Sequence, residues 1–300
     1  MYATRITERV YQLDTKALGQ ERTVAAYAIK GPKPTLVDCG YASSYRNVLE
    51  GLKEIGLSPA DIRYVIPTHV HLDHAGAAGH LLREMPNAGV IAHEKAVPHL
   101  ADPTKLVESA TKVFGREIIA LYGVPLPVDA QRMTPVGEEG SLELGDGMSA
   151  RLLHAPGHAP HQIVVLLNEA RIMLAADAVG IVYPGMKVMI PTTPPPSFEP
   201  ETLTRTAGML AGLDAVSLLV PHFGLRDDPD WVFEQTKTRV EEWLSKVRRM
   251  KDEKLGLDEI TEALVHEVEE ESGIYELPIY ARVSARTSVL GILHFLDKNV

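Results

Sequence analysis

Thr68-His69-Val70-His71-Leu72-Asp73-His74-Ala75-Gly76 follows the apolar run Tyr64-Val65-Ile66-Pro67 and precedes a segment with helical spacing. His69, His71, Asp73 and His74 are all able to bind metal and fall within six positions. In extended chain residues 69, 71 and 73 point to one side, and a bend into a helix starting near Ala75 brings His74 alongside them. Four such groups held together desolvate and repel one another, a cost that a bound cation relieves. The stretch therefore reads as a metal site at the carboxyl end of a strand.

Strands and helices alternate around this turn. Val24 to Ile29, Thr35 to Val37 and Ile62 to Ile66 are short apolar, β-branched runs bounded by turn residues such as Gly31-Pro32 and Gly40. Tyr45 to Ile55 and Ala75 to Met85 carry apolar residues at three- and four-residue spacing and read as helices. Gly89 to His93 is a further strand, and Glu94 to about Leu121 reads as an inserted helical arm. From Ser141 the strand pattern returns, with Gly145-Asp146-Gly147 and Asn168-Glu169 where hairpins should turn. Five prolines between Tyr183 and Phe198 forbid a regular helix or central strand there. A helix near Pro200 to Leu213 and a strand at Val216 to Val220 close this region. Beyond Gly224 the chain turns to long amphipathic patterns, Trp231 to Lys251, Leu257 to Glu271 and Ala281 to Leu296, so the expected division is a domain over 1–225 and a helical extension over 226–300. Charge runs such as Glu267 to Glu271 read as solvated helix faces. The stripe Trp231, Val240, Trp243, Leu244 and Val247 can pack on the main domain or on a second subunit, making a homodimer through the tail.

Composition narrows the classes. The chain has 300 residues, 45% hydrophobic and 23% charged, ordinary values for a folded globular protein. Asp and Glu number 40 against 30 Lys and Arg, and a net charge of −10 repels phosphate backbones and anionic lipid, which excludes nucleic acid and membrane as expected partners. Cys39 is the only cysteine, so no intrachain disulfide forms. The N-terminus has no apolar run of signal-peptide length, and the strongest membrane candidate, Ile163 to Val182, is interrupted by Glu169, Arg171 and Asp177. A cytoplasmic location is expected.

The six residues His69-Val70-His71-Leu72-Asp73-His74 resemble the HxHxDH signature of the metallo-β-lactamase superfamily. His158 in APGHAPH, Asp177 in LAADAVG and His222 in VPHFG follow in the order of the family's remaining ligands, each at the end of a predicted strand. The resemblance covers about the first three quarters of the chain. It implies an α/β (α+β) fold, an αββα sandwich of two mixed sheets flanked by helices, followed here by a helical C-terminal extension. It implies that His69, His71 and His158 hold one divalent metal, that Asp73, His74 and His222 hold a second, and that Asp177 bridges the two. Zinc is the expected metal, with iron or manganese as alternatives. A metal-bridging hydroxide would attack the substrate, and Asp73 would act as the acid/base residue.

His71 stands where diiron redox members carry glutamate, which points to the hydrolytic, glyoxalase-II-like branch. The long insert after His74 and the terminal helices after His222 are similar in layout to the quinolone-signal response thioesterase, in which extra helices cover the site. The expected activity is hydrolysis of a small thioester, ester or lactone. The alternatives are an iron-dependent redox or persulfide-oxidising enzyme, and a signalling or interaction protein that keeps the metal site. Asp38 reads either as support for a ligand imidazole or as a turn cap. Cys39 reads as a small buried residue. Tyr183, Met186, Met189, Phe198 and Phe223 could line an apolar pocket or simply pack the core, and Tyr183 is considered as an oxyanion donor. His80, His93, His99, His154, His161, His266 and His294 read as surface or supporting residues, His161 lying three positions beyond His158.

Overall fold

The computed structural model describes residues 1–298. Contacts group the chain into two compact units. The first comprises Met1–His154, His161–Ala176 and Leu219–Leu225; the second comprises Ala155–Pro160, Asp177–Leu218 and the chain from Arg226 onward.

The first unit is built on two sheets. One pairs its strands in chain order: β1 (Ala3–Arg5), β2 (Val10–Asp14), β3 (Ala25–Ile29), β4 (Thr35–Val37), β5 (Tyr64–Ile66), β6 (Gly89–His93) and β7 (Met133–Val136). Pairing is antiparallel from β1 to β4 and parallel from β4 to β7. Parallel neighbours need crossovers, and each is helical. α1 (Tyr45–Glu54) joins β4 to β5; α2 (Leu72–Ala75) and α3 (Ala78–Glu84) join β5 to β6; α4 (Val97–Ala101), α5 (Thr104–Phe114) and α6 (Arg116–Tyr122) join β6 to β7. The second sheet holds β8 (Glu139–Gly145), β9 (Met148–His154), β10 (Ile163–Leu167), β11 (Ile172–Leu174), β12 (Ser217–Val220) and β13 (Gly224–Arg226), in the order β13-β12-β11-β10-β9-β8.

Strand β3 shows how the layers are specified. Ala26 and Ala28 face a core shared with Val48 and Leu52 of α1 and Leu81 of α3, where small side chains let the helices lie close to the sheet. Ala25, Tyr27 and Ile29 face the opposite way, into a core with Leu152, Ile163 and Val165 of the second sheet. A strand buried on both faces reads as a continuous apolar run, which is why Val24 to Ile29 shows no alternation. The expected hairpins form: β8 and β9 are antiparallel around Gly145, Asp146 and Gly147, all with positive φ (88°, 53° and 74°), the backbone that Asp-Gly turns supply. β1, β2, β7 and β13 are strands beyond those expected from the sequence. β1 and β13 are three-residue edge segments too short to carry a pattern, and β7 contains Pro135.

The second unit contains α7 (Pro200–Ala211), α8 (Pro229–Asp252), α9 (Leu257–Ser272) and α10 (Ile279–Lys298), with α7 packed on α8, and α10 on both α8 and α9. Trp243, Val240 and Val247 of α8 are buried, as the helical stripe requires. The run Glu267 to Glu271 differs from its expected solvated face. Glu267 pairs with Lys246, Glu271 with Arg239, and Glu269 with Arg282, so the acidic side chains of α9 bind cations on its neighbours. Ion pairing to Arg239 holds the Glu271 carboxyl below the usual carboxylate range. The proline-rich segment is an ordered loop, closed by an antiparallel bridge between Ile181 and Ile190. Among the described residues, no helix is long and apolar enough to cross a membrane.

Candidate metal centre

The histidine-rich turn begins where β5 ends at Ile66. The helix expected near Ala75 begins earlier, at Leu72, with His71 in the position before it (φ −58°, ψ 152°). His69 and His71 are therefore on extended chain, whereas Asp73 and His74 come from a helical turn. Leu72 is buried against Ile119 and Tyr122, which anchors the turn on the inserted arm. Gly76 is required by close approach, since a Cβ there would lie 2.2 Å from the Leu72 carbonyl oxygen.

Asp38, at the end of β4, organises the cluster from beneath. Its Oδ1 accepts the Thr68 backbone N–H and hydroxyl, both at 2.8 Å, and its Oδ2 lies 2.9 Å from His74 Nδ1. A carboxylate only accepts, so His74 carries its proton on Nδ1 and its lone pair on Nε2. Thr68 spends its single hydroxyl proton on Asp38 and can only accept from His69 Nδ1, 3.2 Å away, which places the His69 lone pair on Nε2 as well. His69 Nε2 then converges with His71 Nδ1 at 2.9 Å. His222, between β12 and β13, brings Nε2 to 3.6 Å from Asp73 Oδ2, and His74 Nε2 lies at 3.6 Å from the same oxygen. Asp73, His74 and His222 each offer a donor atom within 4.8 Å of the others.

The second unit brings together His158 and Asp177. His158 follows Gly157, whose φ of 127° and whose clearance decide the residue: a Cβ there would lie 2.3 Å from Leu203 Cα in α7. His158 Nδ1 donates to the Thr192 carbonyl at 3.1 Å, again leaving the lone pair on Nε2, which lies 3.4 Å from Asp177 Oδ2. Asp177 sits in a short helical turn after β11.

These donors fit a divalent cation. Two ligands at about 2.0–2.2 Å from one tetrahedral ion lie roughly 3.4 Å apart, close to the observed imidazole-to-carboxylate separations and longer than a direct charge-assisted hydrogen bond. Neutral imidazoles anchored through Nδ1–H with the lone pair turned outward are the form a metal takes, and Asp38 and the Thr192 carbonyl are the anchors. Asp38 is thus a supporting residue for His69 and His74 rather than only a turn cap, and its own φ of 58° is a left-handed conformation that aspartate tolerates.

His161 is buried, with its ring centroid 6.4 Å from that of His69 and 6.3 Å from that of His71, and His99 lies 5.9 Å beyond it. Its three-residue spacing from His158 is the only sequence signal. Tyr122 stacks on Tyr41 at 4.2 Å, and burial raises its phenol pKa; nothing in the sequence points to this pair, because they belong to separate segments. Tyr183 shares a hydrogen bond with Ser284 and packs on Tyr280, so its hydroxyl is engaged inside the second unit. Met186, Met189 and Phe198 are buried core residues there, and Phe223 packs in the core between the sheets. Burial pushes the Cys39 thiol well above its usual range, with the Asp38 charge adding to it, which disfavours a nucleophilic thiolate.

A second histidine group, His93, Glu138 and His154, also places its donor atoms within 4.8 Å. Here the Lys95 backbone N–H donates to His93 Nδ1 at 3.2 Å, so the proton of neutral His93 sits on Nε2. The His93 and His154 rings stack at 4.1 Å. This group is a packed pair at the ends of β6 and β9.

The protein is 33% identical, over 135 residues, to a metallo-beta-lactamase fold-containing protein of Sulfurisphaera tokodaii, covering 44% of this chain and 49% of that one. It is 30% identical over 132 residues to an N-acyl homoserine lactonase of Azorhizobium caulinodans, covering 42% and 45%. The chain thus spans about half the length of these curated relatives. In fold it is similar to a metallo-beta-lactamase family protein of Thermus thermophilus, with a TM-score of 0.71 at 22% identity over 98% of this chain and 95% of that one. The family model of the metallo-beta-lactamase superfamily matches residues 19–222, a span that includes every candidate ligand from His69 to His222, and the chain belongs to that superfamily.

Proposed function

We propose that the protein is a dinuclear metallo-hydrolase of small thioesters, esters or lactones. In this reading His69, His71 and His158 would hold one metal, Asp73, His74 and His222 would hold the other, and Asp177 would serve both, with zinc as the metal and iron or manganese as alternatives. The observation that carries it is that Nδ1 of His69, His74 and His158 each faces an oxygen (the Thr68 hydroxyl, the Asp38 carboxylate and the Thr192 carbonyl), which favours Nε2 as the ligating atom. When bound, the metals lower the pKa of water toward neutrality and polarise the scissile carbonyl.

The chain's own residues then divide the work. Asp177, with a side chain 6% exposed, is suited to a fixed bridging role, whereas the Asp73 side chain is 20% exposed and can exchange a proton with solvent or a leaving group. Asp73 is the acid/base residue in this proposal. Leu72, held by Ile119 and Tyr122, fixes the helical turn from which Asp73 projects. The histidine at position 71 supports the hydrolytic branch over redox chemistry; likeness to relatives does not separate the two, since the chain is 30% identical to a lactonase over 132 residues and 28% identical to a flavo-diiron protein of Clostridium acetobutylicum over 156 residues.

The test is hydrolysis of a panel comprising a thioester, an aliphatic lactone, a phosphodiester and a β-lactam by protein loaded separately with zinc, manganese or iron. Saturable turnover of the thioester or lactone, lost in Asp73→Asn, is the expected outcome. Silence across the panel with two metals bound, or oxygen uptake with iron, would overturn it in favour of an interaction or redox protein.

A further inference from the structure

His158 is oriented by a carbonyl that lies in neither a strand nor a helix, and the orientation of that carbonyl has its own support. Thr192 stands in the proline-rich loop, its C=O accepting from His158 Nδ1 and its hydroxyl lying 3.1 Å from the carbonyls of both Asp177 and Val179. The residues on either side of it are gripped by one residue of α10. Ser288 Oγ donates to the Pro191 carbonyl and accepts the Thr193 N–H at 3.4 Å, while the Thr193 hydroxyl donates to the Ser288 carbonyl at 3.0 Å. Thr192, Thr193 and Ser288 are all buried.

Two features show that this contact is specific to Ser288. Hydroxyls inside a helix ordinarily bond back to the carbonyl four residues earlier. Ser284 and Thr287 of α10 do so, to Tyr280 and Val283, whereas Ser288 reaches across to the loop. One turn further on, Gly291 allows the approach: a Cβ there would lie 1.7 Å from the Thr193 carbonyl oxygen and 2.7 Å from the Pro194 carbonyl carbon. Helix and loop backbones therefore meet where any side chain at 291 would hold them apart.

We infer that α10 is a positioning element for the metal-ligating histidine, acting through Ser288 on the peptide units flanking Thr192 and so on the His158 imidazole. The inference rests on the reading of His158 as a metal ligand. It gives the helical extension a part in the chemistry distinct from covering the site. Anchors of this kind commonly alter metal affinity by about 10- to 100-fold when lost.

The experiment uses the full chain and two readouts. Zinc affinity is measured by competition with a chromophoric chelator, and the His158 Nδ1–H is followed by nitrogen-15 NMR on metal-free protein labelled at histidine. Ser288→Ala is expected to weaken one of two zinc equivalents by about 10-fold or more, leave the other unchanged, and speed solvent exchange of the His158 Nδ1 proton. Thr193→Val, which keeps side-chain shape, is expected to shift both readouts in the same direction and covers the case in which Ser288→Ala folds poorly. Ser284→Ala, on the same helix but bonded to Tyr183, is expected to change neither. Unaltered affinities and exchange in both Ser288→Ala and Thr193→Val would overturn the inference, as would an equal effect from Ser284→Ala. Should the parent protein bind no zinc, the dinuclear reading fails, and the NMR exchange rate alone decides the role of α10.

Discussion

Two groups of buried histidines stand at strand ends in the first unit, and they differ in how one imidazole, that of His93, holds its proton. Around Asp38 and Thr68, carboxylate and hydroxyl acceptors draw the protons of His69 and His74 to Nδ1 and set the Nε2 lone pairs toward Asp73 and His71. Beside β6 and β9, a backbone N–H occupies the His93 lone pair, and the two rings lie face to face. Donor atoms within 4.8 Å occur in both, so proximity alone does not separate a ligand set from a packed pair. What separates them is the atom behind His93: its Nδ1 meets a backbone donor, whereas His154 Nδ1 faces the Glu138 carboxylate much as His74 Nδ1 faces Asp38, so the second group differs through His93 alone.

The strongest way to break this comparison is to remove candidate ligands on one side and His93 on the other. His71→Ala and Asp177→Ala are expected to lose bound metal and at least about 10³-fold in turnover, since the ions supply several kcal/mol of transition-state stabilisation. His93→Gln is expected to keep the metal content of the parent. Metal analysis after gel filtration, with rates on the best panel substrate, checks both; full metal and turnover in Asp177→Ala would remove it from the bridging role. Asp73→Asn comes next, with an expected loss of about 10²- to 10⁴-fold in kcat and partial metal retention, because the amide keeps an oxygen donor but cannot carry a proton through the cycle. A kcat unchanged at full metal occupancy would assign the acid/base role elsewhere.

The difference between the two groups is only partly legible in the sequence. The HxHxDH turn is readable because its candidate ligands lie within six positions and the chain's own periodicity orients them, and His158, Asp177 and His222 enter the candidate set by resemblance. The start of α2 falls three residues before its expected place because the extended pattern through His69 and His71 gives no sign that Leu72, captured by the inserted arm, begins the helix early. Asp38 is ambiguous for a physical reason: an aspartate at a strand end caps a turn or supports a ligand with the same local sequence, and only its approach to residues thirty and thirty-six positions away decides. Ser288 and Gly291 are not legible at all. In α10 they look like ordinary helix residues, and their role depends on a loop about a hundred positions earlier.

That ambiguity at Asp38 can be sharpened. Asp38→Asn keeps the size of the side chain but offers one acceptor and one donor where Thr68 and His74 require two acceptors. One orientation faces an amide N–H with His74 Nδ1–H, and the other faces it with the Thr68 N–H. The expected result is an about 10- to 100-fold loss of metal affinity with a smaller loss of fold stability. Chelator competition checks the first and urea unfolding the second; unchanged affinity would return Asp38 to a simple turn cap.

The smallest expected effect belongs to the packed pair and concerns acid stability. Burial lowers the His93 pKa, and His154 and Lys95 push in the same direction against the weaker pull of Glu94 and Glu138. The folded protein therefore takes up the His93 proton at lower pH than the unfolded chain, whose histidine titrates near about 6.5. Between those two values the unfolded state binds more protons, so stability is full above the unfolded pKa and falls as pH drops through it toward the folded one. Replacing His93 with glutamine removes this difference, at the cost of a stacked ring contact of about 0.5–1.5 kcal/mol at all pH values. Urea midpoints of the metal-free protein from about pH 8 to 5 should show a shallower decline for the variant than for the parent, because every other titrating group is common to both. Parallel declines would mean that His93 protonates as readily in the folded chain as outside it, and the opposition between the two histidine groups would then rest on ring stacking alone.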